Sequence, residues 1–188
     1  MADYKTPGVY IAEQNAFPSS VVAVPTAVPV FIGYTEKAER SGKDLTYIPT
    51  KIASMAEYAA WFGGAFKAKF IVSDTAASPA DSAEETFTLN GQNLFLKFKP
   101  NNELYFYNAI RLFYLNGGGE CYILSVGNYT HATTSGIAAT DYFGVEDSKH
   151  VFKILEKEWE PTLIVLPDAV AKKPTATDAG AYEFYMQA

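Results

Sequence analysis

Cysteine and histidine are nearly absent from the 188 residues: Cys121 stands alone, and His131 and His150 are the only imidazoles. A lone thiol makes no internal disulfide, and in its apolar surroundings Cys121 reads as a small buried hydrophobe. Neither histidine has a second ligand at His-x-x-x-His spacing, so no metal site is expected. Positive charge is also short, with 15 Lys and Arg against 21 Asp and Glu. No basic cluster is available to follow a phosphate backbone, which argues against nucleic acid as a partner. No apolar run approaches the ~18 residues of a membrane-spanning helix, and Met1-Ala2-Asp3-Tyr4 does not open a secretory signal. The expectation is a chain made and folded in the cytosol, without membrane insertion. Asn128-Tyr129-Thr130 fits the glycosylation pattern but carries no weight without secretion.

What the chain has is apolar and aromatic material, 48% and 15% of residues, enough for one core of ordinary size. Its first part divides in two. Residues 1–25 read as an extended arm: Pro7-Gly8 opens a short run in which Val9 and Ile11 share one face and Tyr10 and Ala12 the other, and Phe17-Pro18-Ser19-Ser20 closes it. Val21-Val22-Ala23-Val24 is a second extended piece, while Pro25 and Pro29 each lack a ladder donor and do not suit the middle of a sheet. Val30-Phe31-Ile32-Gly33-Tyr34 then reads as a buried core strand. A β-prone arm without a nearby partner is a template for another chain. At ~3.3 Å per residue, twenty-odd residues reach about 70 Å, against an expected radius of gyration of ~16 Å. Addition of the arm to a neighbour's sheet is the physical expectation, against the plainer reading of a terminus lying on its own domain.

Beyond that strand, the charged stretch Glu36 to Lys43 reads as a surface loop. Ser54 and Glu57 have capping-box spacing, and Met55, Tyr58, Ala59 and Phe62 give the following helix one apolar face, ended by Gly63-Gly64. Residues 63–103 read as a β-rich insertion: a short strand over Lys69 to Ser73, a loop from Asp74 to Thr86, and a hairpin around Asn90-Gly91. A helix over Glu103 to Leu115 is apolar nearly all round, which predicts burial on most sides within the domain or at a subunit contact. Gly117-Gly118-Gly119 caps it before a strand from Cys121 to Val126. Gly127 to Gly144 reads as loop. A helix from Ser148 turns Val151, Ile154, Leu155 and Trp159 inward, with His150 solvated, until Pro161 stops it. Thr162 to Leu166 is an unbroken apolar strand, and Tyr182, Tyr185 and Met186 begin another helical period. Alternating strands and helices predict an α/β fold, a mixed or parallel sheet with crossover helices, an extended N-terminal arm and a small β-hairpin insertion, with 26–62 and 104–188 as its core.

Two motifs in this order resemble the contractile tail sheath proteins of phage tails and extracellular contractile injection systems. The first is TPGVYI with the following Pro-Ser-Ser-Val-Val and Ala-Val-Pro-Val-Phe-Ile-Gly-Tyr-Thr. The second runs from Leu112 through Asn116-Gly117-Gly118-Gly119 to Ile123, and the strand ending at Pro167-Asp168 extends the match along nearly the whole chain. The resemblance implies a non-enzymatic subunit, without cofactor, of a helical sheath around an inner tube. Its partners would be copies of itself, the tube protein, and baseplate and terminator proteins. Such particles are assembled in the bacterial cytoplasm and act as phage tails or as released tail-like particles. It further implies that Tyr4, Pro7, Gly8, Val9, Tyr10, Ile11, Phe17, Val21 and Val22 belong to an arm clasping an adjacent subunit, with the arm's acceptor and the tube-facing surface largely beyond residue 188.

Enzymatic chemistry is weakly represented. Gly117-Gly118-Gly119 runs from helix to strand, the reverse of a phosphate cradle, and no Lys-Ser or Lys-Thr follows. There is no G-x-S-x-G elbow. Asp168 ends a strand, where α/β enzymes place catalytic groups, but a lone carboxylate more simply caps a loop. Two alternatives stay open: a sheath-fold tail or baseplate component that does not contract, and a small α/β enzyme or ligand-binding domain with its site near Gly33, Ser125 and Asp168.

Overall fold

The computed structural model describes residues 27–73, 85–172, 180, 182 and 186. The elements in chain order are β1 (Pro29–Thr35), β2 (Glu39–Arg40), β3 (Lys43–Asp44), β4 (Thr50–Ile52), α1 (Met55–Phe62), β5 (Phe70–Ser73), β6 (Glu85–Leu89), β7 (Gln92–Phe98), α2 (Phe106–Leu115), β8 (Cys121–Asn128), α3 (Tyr129–Ser135), α4 (Ala139–Tyr142), α5 (Val151–Leu155) and β9 (Leu163–Val165). Single 3-10 turns stand at Asp147–Lys149 and Pro167–Ala171.

The core is a mixed four-stranded sheet in the order β4-β8-β1-β9, with β8 and β9 parallel to β1 and β4 antiparallel to β8. Every residue of β1 is buried. That follows from helices on both faces, which require a strand apolar on both sides. Phe31 points with Cys121 and Ile123 toward α1 and α2, against Tyr58, Phe62, Phe106 and Ile110. Val30, Ile32 and Tyr34 point with Tyr122, Leu124 and Val126 the other way, against Ala132, Ala139, Tyr142 and Val151 of α3 to α5. The mixed α/β fold expected from the alternation is therefore present, as three layers.

Several local expectations change. The charged stretch after β1 is a small hairpin, β2 with β3, turned by Ser41 and Gly42 at positive φ. Its Arg40 guanidinium lies over the Trp61 ring, 4.1 Å from the centroid, so a cation–π contact anchors it on α1. Ser54 caps α1 as its spacing predicts, accepting from the Glu57 N–H at 3.3 Å, while Glu57 reaches back to the Ala53 N–H. Ala59 is exposed and Trp61 takes part in the inner face instead. Thr86 belongs to β6 rather than to a loop.

Helix α2 starts at Phe106, three residues later than its periodicity suggests, and only Phe106 and Ile110 are fully buried. Leu112 and Leu115 are exposed, because α2 covers the sheet with one face alone. The segment after β8 is helical, not loop: the Asn128 side chain caps α3 by accepting from the His131 N–H at 2.8 Å, and Gly136 ends it at φ 80°. Helix α5 is only five residues long, which leaves Trp159 outside it and 85% exposed. The apolar strand expected over Thr162 to Leu166 is β9, which among the described residues is the outer strand beside β1, with Leu163 and Ile164 about half exposed.

The strands β5, β6 and β7 form a second sheet, in the order β5-β7-β6. Asn90 and Gly91, at φ 52° and 79°, make the tight β6–β7 turn.

Candidate functional site

The parallel strands β1, β8 and β9 all end on one side, where Gly33, Ser125 and Asp168 come together. The register of β1 against β8 slips between Gly33 and Tyr34, a bulge that takes the Tyr34 N–H out of the ladder. Asp168, fully buried in the 3-10 turn after β9, accepts that N–H on Oδ2 at 3.0 Å. Its Oδ1 accepts from the N–H groups of Tyr105 and Phe106, at 2.7 and 2.9 Å.

Those two donors open α2, which has no acidic residue in its first turn and no side-chain cap of its own. Asp168 is therefore the N-terminal cap of α2, supplied from 62 residues away. The expectation of a capping carboxylate holds in kind, but the capped segment lies elsewhere in the fold. Burial pushes the Asp168 carboxyl up to about 6, with the three N–H donors pulling it back toward the ordinary range.

Gly33 is required by the same arrangement. A Cβ there would overlap Phe106 and come within 2.7 Å of Asp168 Oδ2. Beside it, the Thr35 and Ser125 hydroxyls share a buried hydrogen bond of 2.7 Å. The strand ends are thus occupied by internal partners: each Asp168 oxygen faces main-chain donors, and the gap left by Gly33 is filled by an aromatic ring.

A second polar group escaped the sequence. Tyr34, also fully buried, donates its hydroxyl to Asp141 Oδ2, which His131 Nε2 meets at 3.0 Å. The Tyr47 hydroxyl donates to the Asp141 carbonyl at 2.8 Å. Burial, then the bond to Asp141, drives the Tyr34 phenol above its ordinary range, so it stays a neutral donor. The cluster joins β1, α3 and α4, and its available sign was the Asn128 cap with Gly136 eight residues on, which marks α3 as a helix.

His150 does not project into solvent as its helical position suggested. Its ring lies 5.8 Å from that of Phe143 and 6.2 Å from that of Phe152, because the 3-10 turn ahead of α5 rotates it inward. Cys121 is buried, with its sulfur 3.4 Å from the Tyr114 hydroxyl, and burial raises its pKa. Gly117 and Gly118 close α2 through N–H bonds to Tyr114 and Phe113 carbonyls at 3.1 and 2.9 Å.

The arm residues Tyr4, Pro7, Gly8, Val9, Tyr10, Ile11, Phe17, Val21 and Val22 lie outside the described residues. Among the described residues no helix is long and apolar enough to cross a membrane. No family model matches the chain, and comparison with curated proteins finds no match.

Proposed function

We propose that the protein is a structural subunit of a helical contractile sheath surrounding an inner tube, whose contraction drives the tube into a target cell. The observation that carries this reading is the ordered pair of motifs, the proline-punctuated arm with its following core strand and the helix, Asn-Gly-Gly-Gly turn and strand. Of those residues the described ones form β1, α2 and β8, and β1 and β8 are neighbours in the central sheet. Exposed apolar side chains on separate elements support it: Leu112 and Leu115 on α2, Trp159, and Leu163 and Ile164 on β9. A subunit in a helical array makes several distinct contacts, because heterologous contacts that do not close on themselves generate such arrays.

In this reading residues 1–25 form the inter-subunit arm, and the hairpin region decorates the particle surface. Neighbouring copies, the tube protein, and baseplate and terminator proteins are the partners, met during assembly in the bacterial cytoplasm. Contraction draws on energy stored in subunit packing, as bistable interfaces allow, and consumes no nucleotide. Deletion of Met1 to Ser20 tests the reading. Expressed with its tube protein, the deleted chain is expected to be soluble and folded yet form no cylinders in electron micrographs, while the intact chain forms striated cylinders of one or two lengths. Normal cylinders from the deleted chain would defeat the arm assignment.

A further inference from the structure

The tripeptide Leu-Asn-Gly occurs twice in the chain, as Leu89-Asn90-Gly91 and as Leu115-Asn116-Gly117. An asparagine followed by glycine is prone to attack by its own main chain, because glycine puts no side chain beside the nitrogen that must reach the asparagine side-chain carbon. Both asparagines are exposed, and both glycines stand at positive φ, 79° and 81°. Hydrogen bonding separates the two sites.

At the end of α2, both members of the reacting pair are tied down. Asn116 Nδ2 donates to the Leu112 carbonyl at 2.7 Å, which turns the side chain back along the helix, and the Gly117 N–H donates to the Tyr114 carbonyl at 3.1 Å. The next residue is held as well: the Gly118 N–H donates to the Phe113 carbonyl at 2.9 Å, and the Phe113 ring packs edge-on against Phe31 of β1. The β6–β7 turn has none of these restraints. Its ladder pairs Leu89 with Gln92 and leaves the Gly91 N–H outside, and among the described residues neither that N–H nor the Asn90 side chain has a hydrogen-bond partner. A Cβ built on Gly91 would meet nothing within 4 Å, so the turn is open on that side. The hairpin lies outside both core clusters of the described residues, and local opening at its tip costs little.

We propose that Asn90 is a site of spontaneous covalent modification, its side-chain amide being exchanged for a carboxyl through a cyclic imide, while the end of α2 protects Asn116. In the first step the Gly91 main-chain nitrogen gives its proton to solvent hydroxide and bonds to Asn90 Cγ. The Cγ–Nδ2 bond breaks, and Nδ2 leaves as ammonia with a proton taken from water. Solvent water then opens the imide. Addition at Cγ breaks the Cγ–N bond and leaves aspartate; addition at the Asn90 main-chain carbonyl carbon breaks its bond to Gly91 nitrogen and leaves isoaspartate, with the chain running through Cγ. Aspartate keeps the turn, since it accepts positive φ as asparagine does, and adds a negative charge at the tip. Isoaspartate inserts a methylene into the main chain between Leu89 and Gln92, which the two-residue loop closing that pair does not absorb. The site is independent of the assembly proposed above.

In the test, the folded full-length chain is held at mildly alkaline pH, sampled over time, digested and read residue by residue by mass spectrometry, with a second sample held in denaturant. In the folded chain Asn90 is expected to convert at least ~10-fold faster than Asn116, the rate equivalent of about 1.4 kcal/mol, which two retained hydrogen bonds are enough to supply. In denaturant the two sites, flanked by the same residues, are expected to convert at matching rates. Equal rates in the folded chain, or faster conversion at Asn116, would overturn the assignment. So would a folded chain that keeps both amides while the denatured one loses both, since the turn would then protect Asn90 itself. A difference of the same size in denaturant would overturn it too, by placing the cause outside the fold.

Discussion

The two sheets use the same residue types and meet opposite fates. In the central sheet both faces of β1 and β8 are covered by helices, and Val30, Ile32, Ile123 and Leu124 are fully buried. In the β5-β7-β6 sheet, cross-strand pairing puts Phe70, Val72, Phe87, Leu89, Leu94, Leu96 and Phe98 on one face with Gln92, opposite a more polar face with Ser73, Thr86, Thr88, Asn93 and Lys97 beside Ile71 and Phe95. None of those seven apolar residues joins either core cluster, and Phe70, Val72 and Leu89 are half exposed. Alternation alone makes an amphipathic sheet; a second layer makes it a core. The central sheet has that layer because Asp168 and Gly33 let α2 lie directly on the end of β1.

The largest expected effect therefore comes from removing that link. Asp168→Ala leaves the Tyr34, Tyr105 and Phe106 N–H groups without their acceptor, at ~1–3 kcal/mol for each buried group, or about 4 kcal/mol in total. Denaturant unfolding near pH 4, where the carboxyl is protonated in the fold and no buried charge offsets the loss, reads the effect. An unchanged midpoint would mean that α2 does not depend on this cap.

Next in size is the pH response of the same group. In the unfolded chain Asp168 titrates near the model-compound value of 3.8 and in the fold near about 6, so between those values the folded state holds the extra proton. Raising pH through that window therefore weakens the body, by roughly 3 kcal/mol from this group alone, and the contribution is flat above and below it. Comparing Asp168→Asn with wild type isolates the change, since the variant lacks the titration. Parallel stability curves for the two chains would remove the assigned shift.

The smallest effect belongs to the other sheet. Phe87→Ser, on the face that joins neither core cluster of the described residues, is expected to change the stability of the body by no more than ~0.5 kcal/mol. Amides of β6 and β7 are expected to exchange faster than those of β1 and β8, as fewer packed contacts lower the free energy of local opening. Loss of stability on the scale of Asp168→Ala would show that the two sheets fold as one unit.

Residue order alone was enough for elements whose causes are local. The Ser54–Glu57 cap, the Asn90-Gly91 turn and the doubly apolar β1 depend on neighbours within a few positions, and each lies where its pattern indicates. The three-layer α/β body follows from their alternation. Only the tertiary structure decided which apolar residues are covered and what the lone carboxylate serves. Leu115, Trp159 and Ile164 look as apolar in sequence as Ile110, Val151 and Val30, and differ only in whether a second layer reaches them. Asp168 caps a helix 62 residues away, Gly33 makes room for it, and Asp141 joins Tyr34 to His131. No local pattern encodes those pairings, because each is fixed by where the chain has already been placed by its buried strands.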